Sequence, residues 1–369
     1  MNPIQKYLRS FFAKKRIVGD TPLQGLAAAD ALLSDLVNEK KVPGLALTVL
    51  KKGEVFFQRG YGHADLEKRI PADPKNTIFR IASVSKPIAA TALATMVHDG
   101  TIHLDASFYE YVPYYPKKKW DFTIRQLAGH TAGIRGYRGI EYGLNQAYSI
   151  KDSIAIFQHD DLLFEPGTGY QYNSFDWVMI SLAMQEASGM PFEKYVETKV
   201  LGPSAMNHTF APNIENRIDT QLDEARKESP DLHLAQCYSK NRSGFRDAIP
   251  VNNHYKLAGG GYLSTTEDIA KLGQAYLDDK ILPPEIKNQF LTAQKIHGQS
   301  TYYGLGWQVS TDRYGRPYFG HVGNGVGGYS NFYVYPEQEM VFSILINCTD
   351  PKVQDDLDEI VNALFTPST

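Results

Sequence analysis

At 369 residues, with 43% hydrophobic and 21% charged side chains, the chain has the make-up of a soluble globular protein and is long enough for two lobes or one large domain with an insertion. Its net charge of −3 gives no global reason to expect nucleic-acid binding, and two cysteines, Cys237 and Cys348, do not make a disulfide framework. No stretch approaches the roughly 18–20 apolar residues of a membrane span, which argues against a transmembrane segment.

Residues 1–25 read as a flexible N-terminal arm. Lys6, Arg9, Lys14, Lys15 and Arg16 surround short apolar pieces that lack the apolar core of a secretory signal. A weak surface helix, or a stub left after removal of a signal, fits the same residues. Residues 26–37 have helical periodicity. Residues 44–50 are apolar and β-prone, Lys51-Lys52-Gly53 reads as a turn, and residues 54–61 return as a second strand. The far end mirrors this start: two β-rich runs, 329–335 and 340–346, surround Pro336-Glu337-Gln338-Glu339, and an amphipathic helix follows Pro351 through Phe365. Both ends therefore predict one antiparallel sheet with the two terminal helices packed on it. Between them, residues 90–253 are helical and loop-rich, punctuated at Pro113, Pro116, Pro166-Gly167 and Gly202-Pro203. The expected division is a sheet lobe of 26–89 and 254–369, a helical lobe of 90–253, and an active-site cleft between them. Ser264-Thr265-Thr266-Glu267 predicts a capping box that launches a helix over 268–277.

Ser83-Val84-Ser85-Lys86 carries the first chemical signal. With a helix starting near Ser83, Lys86 falls one turn on and on the same face. A desolvated lysine of lowered pKa can take the proton of a serine hydroxyl, and Ser-x-x-Lys is a known serine-nucleophile motif. An N-capping serine followed by a solvated lysine is the alternative for the tetrad alone. Tyr172 follows the Pro166-Gly167 turn, where a phenol near two cations would have a lowered pKa and act as a general base; a packed tyrosine is its alternative. The run Gly320-His321-Val322-Gly323-Asn324-Gly325 enters a strand without the spacing of a phosphate loop. The N–H of Asn324 is placed to pair with that of Ser83 as an oxyanion hole. No Gly-x-Ser-x-Gly elbow, His-Glu-x-x-His pair or Cys-x-x-Cys occurs, so an α/β-hydrolase and a zinc site are disfavoured, and no metal or cofactor is expected.

These motifs fall in order with Leu127-Ala128-Gly129-His130-Thr131-Ala132-Gly133-Ile134, Ala258-Gly259-Gly260-Gly261-Tyr262-Leu263-Ser264-Thr265 and Tyr303-Gly304-Leu305-Gly306-Trp307. Together they resemble the class C β-lactamase-related serine hydrolases, which include penicillin-binding DD-peptidases, esterases and D-amino-acid peptidases. The loop Gly129 to Arg135 and the second motif resemble the branch of mitochondrial serine β-lactamase-like proteins and their bacterial relatives.

The resemblance implies an α+β fold of the β-lactamase/penicillin-binding-protein type, with an antiparallel sheet flanked by N- and C-terminal helices and an inserted, mostly helical lobe. It implies that Ser83 is acylated, that Lys86 and Tyr172 share proton transfer, and that His321 orients Tyr172 or the substrate. Ser174 and Gly323 join Ser83 and Asn324 as oxyanion or substrate-binding residues. His130, Trp307 and the Gly259-Gly260-Gly261 turn are implied to be architectural. Two positions depart from the family pattern. Ser174 stands where an asparagine is frequent, with Asn173 before it, and His321 stands where many relatives carry lysine. Both changes weaken recognition of a β-lactam carboxylate and amide.

The expected partner is a small-molecule or short-peptide acyl substrate, not nucleic acid, and a homo-oligomer is compatible with the sequence. A cell-wall or D-amino-acid peptidase and a weakly catalytic, self-assembling scaffold of the same fold are the rival readings. Family analogy places the protein in the periplasm or at a membrane if a signal was removed, and in the cytoplasm otherwise.

Overall fold

The computed structural model describes residues 23–365, so most of the N-terminal arm predicted over 1–25 lies outside the described residues. The chain divides into two compact units, one built from residues up to Asp35 together with Val353 onward, the other from Leu36–Lys352.

Within the first unit, helix α1 (Gly25–Asn38, its last turn entering the second unit) buries Ala29 and Leu33. The C-terminal helix Gln354–Phe365 buries Leu357, Ile360, Val361 and Leu364, the three-and-four spacing of a one-sided helix.

The second unit is organised by a seven-stranded antiparallel sheet. Its strands are β1 (Gly44–Lys51), β2 (Glu54–Asp65), β3 (Ile70–Pro71) and, from the far end of the chain, Gln308–Thr311, Pro317–Gly325, Gly328–Tyr335 and Met340–Ile346. With β4 for Thr77–Arg80, β5 for Leu263–Ser264 and β6 to β9 for the last four strands, the order is β6-β7-β8-β9-β1-β2-β3. The two chain ends meet where β1 pairs with β9, Leu47 opposite Ile344. Both strands are buried along nearly their whole length, which explains their unbroken Val/Ile/Leu character. The predicted turns hold: Lys52 and Gly53 both take positive φ between β1 and β2, as a two-residue hairpin turn requires.

Helix α2 (Ser85–His98) is buried almost all round, and its alanines Ala89, Ala90, Ala92 and Ala94 have no exposed surface. The short helix α3 (Ile124–Ala128) and the longer α4 (Phe175–Ser188) pack beside one another. Helix α5 (Thr266–Leu277) lies on the sheet. Its cap is one residue later than predicted. Ser264 completes β5, and Thr265 Oγ1 accepts from the Asp268 N–H at 3.3 Å. The region read as helical also contains two short strands, Tyr238–Asn241 and Gly244–Asp247, which form a three-stranded sheet with Cys348–Thr349.

Gly273 marks the tightest contact of α5 with the sheet. A Cβ there would meet Val341 Cγ1 at 2.5 Å, Phe332 Cε2 at 2.9 Å and Val334 Cγ2 at 3.0 Å. Gly273→Ala should therefore lower stability by about 1–2 kcal/mol, although alanine gains about 1 kcal/mol of helix propensity over glycine. A chemical-denaturation midpoint equal to or above wild type would contradict this close packing.

Candidate active site

Ser83 sits at the junction of β4 and α2, on a short 3₁₀ turn spanning Ala82–Val84. The residue before it, Ala82, has φ of 46°, a left-handed conformation that a non-glycine side chain adopts at a cost. This bend precedes α2 and leaves Ser83 half-buried at a pocket while Ser85 is fully buried. Ser85 Oγ accepts from the Tyr262 N–H at 3.1 Å, so the second serine of the tetrad is tied into the fold.

One turn on, Lys86 is wholly buried, and its Nζ contacts three oxygens: Ser83 Oγ at 3.1 Å, the Tyr172 hydroxyl at 2.8 Å and the Gly259 carbonyl at 2.8 Å. Tyr172 closes the triangle by donating to Ser83 Oγ at 2.7 Å. Burial lowers the Lys86 pKa to about 7; Asp176 opposes the shift and Lys256 adds to it. An amine of that pKa is substantially neutral near physiological pH and offers a lone pair to the serine proton.

Tyr172 behaves differently from the sequence expectation. Its pKa is raised, chiefly by burial, with the Ser83 hydrogen bond opposing. The residue is 36% exposed, yet its ring is hemmed in by His130, Tyr303 and His321. Two full positive charges do not stand beside it at neutral pH: Lys86, with its pKa lowered to about 7, is only partly protonated, and His321, lowered to about 3, is uncharged. Tyr172 is thus a phenol, able to relay or donate a proton rather than stand as a phenolate.

His321, on β7, is 1% exposed. Its Nδ1 lies 2.7 Å from the Val322 carbonyl, which can only accept, so Nδ1 carries the proton and Nε2 accepts from the Tyr303 hydroxyl at 3.0 Å. Burial, reinforced by Lys86, lowers its pKa to about 3. Its ring lies 5.8 Å from that of Tyr172, centroid to centroid, so it reaches Tyr172 by packing. Gly323 shows why this strand needs a glycine: a Cβ there would lie 2.3 Å from Ser330 Oγ, 2.6 Å from the Ile81 carbonyl and 2.9 Å from the Ser83 nitrogen. Asn324, next along, lines the pocket with Ser83 and Ser174. Asn173 turns the other way, its amide donating to the Ile134 carbonyl and to Asp176 Oδ2.

Behind Tyr172 lies a buried pair that spacing alone did not single out. His130 Nδ1 and Asp176 Oδ2 are 2.7 Å apart, both side chains are essentially inaccessible, and the His130 ring packs edge-on to Tyr172 at 4.7 Å. Burial raises the Asp176 carboxyl well above its ordinary range, opposed by the Asn173 amide and Lys86, and burial together with Lys86 lowers His130 well below its own. Asp176 supplies the negative charge that opposes the lowering of Lys86 and is itself the first-turn acid of α4. Gly259 gains a role beyond the turn, since its carbonyl holds Lys86 and a Cβ would lie 3.1 Å from the Ser174 carbonyl. Trp307 is fully buried against Tyr276 and Phe319.

The profile described as Beta-lactamase matches residues 29–365, nearly the whole chain. The chain belongs to the beta-lactamase family. Among similar proteins in this family is the mitochondrial serine beta-lactamase-like protein LACTB of Homo sapiens, 24% identical over 405 residues, covering 83% of this chain and 71% of that one. The D-amino acid amidase of Ochrobactrum anthropi SV3 superposes with a TM-score of 0.77 at 21% identity, over 91% of this chain and 98% of that one. The octameric penicillin-binding protein homologue of Pyrococcus abyssi gives 0.75 at 23% identity, over 88% and 73%. The fold is therefore α+β, of the beta-lactamase and penicillin-binding-protein type. Among the described residues, no helix is long and apolar enough to cross a membrane.

Proposed function

We propose that this beta-lactamase family member is a serine hydrolase that cleaves an ester or amide bond of a small or short-peptide substrate through an acyl-enzyme on Ser83. The observation that carries the reading is Lys86, buried, held near pKa 7, and within 3.1 Å of the Ser83 hydroxyl. Ser83 Oγ attacks the carbonyl carbon while its proton passes to Lys86, directly or through Tyr172. The N–H groups of Ser83 and Asn324 receive the oxyanion. When the tetrahedral species collapses, the bond to the leaving group breaks and that group takes a proton from Tyr172, which Lys86 reprotonates. Water then attacks the acyl carbon by the same route in reverse and frees Ser83.

His321 acts as a positioning residue, fixing Tyr303 beside the ring of Tyr172. Ser174 and Gly323 shape the substrate side, the latter by letting β7 pass against the Ser83 backbone. The reacting groups converge from both sides of the proposed lobe division: Ser83 and Lys86 from 26–89, Tyr172 and Ser174 from 90–253, and His321 and Asn324 from 254–369. The fold shared with D-amino acid amidase favours testing short amides of D-amino acids beside simple esters.

Tyr172→Phe removes the relay and leaves the 3.1 Å contact between Lys86 and Ser83. Turnover of a p-nitrophenyl ester should fall about 10²–10³-fold with little change in KM, as expected for loss of a positioned proton donor. Wild-type turnover in this variant would remove Tyr172 from the mechanism.

A further inference from the structure

The pocket beside Ser83 contains two cations with no acid to pair them. Arg80, at the end of β4, donates from Nη1 to the Val326 carbonyl at 2.8 Å. Lys256 lies just before the glycine turn and is 8% exposed. Among the described residues its Nζ reaches a single oxygen, the Tyr142 carbonyl, at 3.5 Å, too long for a good hydrogen bond. Otherwise it sits over the rings of Tyr137 at 5.1 Å and Tyr255 at 5.5 Å. Among the described residues, no carboxylate forms an ion pair with either cation.

An ammonium group buried this far, with most of its donor capacity unused, is costly unless an anion completes it. Burial, with Arg80 adding to it, accordingly lowers the Lys256 pKa to about 8. Both residues line the same pocket as Ser83, Ser174 and Asn324, whereas Tyr172, Tyr303 and His321 do not line it. The leaving group draws its proton from Tyr172 and so departs on the Tyr172 side. The pocket that holds the cations is then left for the group that stays on Ser83.

We propose that Lys256 and Arg80 form an anion subsite that binds a carboxylate on the acyl half of the substrate. The preferred acyl-enzyme is then that of a half-ester or half-amide of a dicarboxylic acid, or of an acyl group with an acidic side chain. An ammonium and a guanidinium edge together can satisfy the two oxygens of one carboxylate. The inference rests on the acyl-enzyme reading of Ser83 and adds to it the chemistry of the acyl group.

The test compares p-nitrophenyl half-esters of succinate, glutarate and adipate with p-nitrophenyl alkanoates of matching chain length. At the best length the wild type should favour the anionic ester by about 10- to 100-fold in kcat/KM, the range expected for hydrogen bonds to a charged group. Lys256→Met and, separately, Arg80→Gln should each reduce that ratio by about tenfold or more. No anionic preference at any length, or an unchanged ratio in both variants, overturns the subsite. Calorimetry separates this result from the fate of the hydrolase reading, with monomethyl glutarate titrated into Ser83→Ala protein and dimethyl glutarate as the neutral control. Binding of the monoanion alone, lost on adding Lys256→Met, supports the subsite even if no ester is turned over. Absence of binding overturns the subsite, while Ser83-dependent turnover of the neutral esters would leave the hydrolase reading standing.

Discussion

Ser83→Ala should lower turnover of a p-nitrophenyl ester by about 10⁴–10⁶-fold while the fold and its thermal midpoint stay close to wild type. The size follows from the absence of a substitute. Ser85 is fully buried and occupied by the Tyr262 N–H, and burial raises the thiol pKa of both Cys237 and Cys348, away from thiolate. The fold tolerates the change because, among the described residues, Ser83 Oγ hydrogen-bonds only within its own triangle with Lys86 and Tyr172. The deleted hydroxyl is half-buried at a pocket rather than set in the core, so little packing is lost. Circular dichroism and ester kinetics on the same preparation would check both halves. A loss under about tenfold with an intact fold would mean another group carries the acyl transfer.

Lys86 should leave the second large signature, in pH. Its amine must be neutral to accept the serine proton, and burial sets its pKa at about 7. The kcat/KM of the wild type should therefore be low in acid and rise through about pH 7. His321 adds no inflection near neutrality, since its pKa is lowered to about 3. Lys86→Met should cost about 10³–10⁴-fold in turnover and abolish that inflection.

Stability should also depend on pH. The folded-state pKa lies below the ordinary lysine value of 10.5, so between about pH 7 and 10.5 the unfolded chain binds the extra proton. Wild-type stability should then rise with pH across that window, and the penalty of burying Lys86 is fully present below it. Lys86→Met removes the penalty, so at pH 7 its thermal midpoint should exceed wild type, and the gap should close toward pH 10. A pH-independent gap, or a flat pH–rate profile, would show that Lys86 does not titrate as described.

How much of this was readable beforehand depends on the range of the interaction. The pairing of Ser83 with Lys86 is one helical turn long, and the β1–β2 and β8–β9 hairpins are equally local, so spacing and turn residues sufficed for them. Tyr172 was placed by its motif, but its protonation was misjudged. The phenol was expected to be lowered by two cations, whereas its pKa depends on burial by His130, Tyr303 and His321 from three distant segments. The neighbours Asn173 and Ser174 could not be ranked by position alone. Only the structure commits Asn173 to Ile134 and Asp176, leaving Ser174 at the pocket. Asp176 and Lys256 carry no motif of their own, since an acid in a first helical turn and a lysine before a glycine run are ordinary on a surface. The Tyr238–Asp247 strands were missed because their third partner, Cys348–Thr349, lies about a hundred residues away.

The most direct test of the acyl-enzyme is the site of covalent capture. Protein treated with a fluorophosphonate, digested and sequenced by mass spectrometry should carry one adduct, on the serine of Ala82-Ser83-Val84, and Ser83→Ala protein should carry none. An adduct on any other residue, or labelling that persists in Ser83→Ala, would contradict the assignment of Ser83 as the nucleophile.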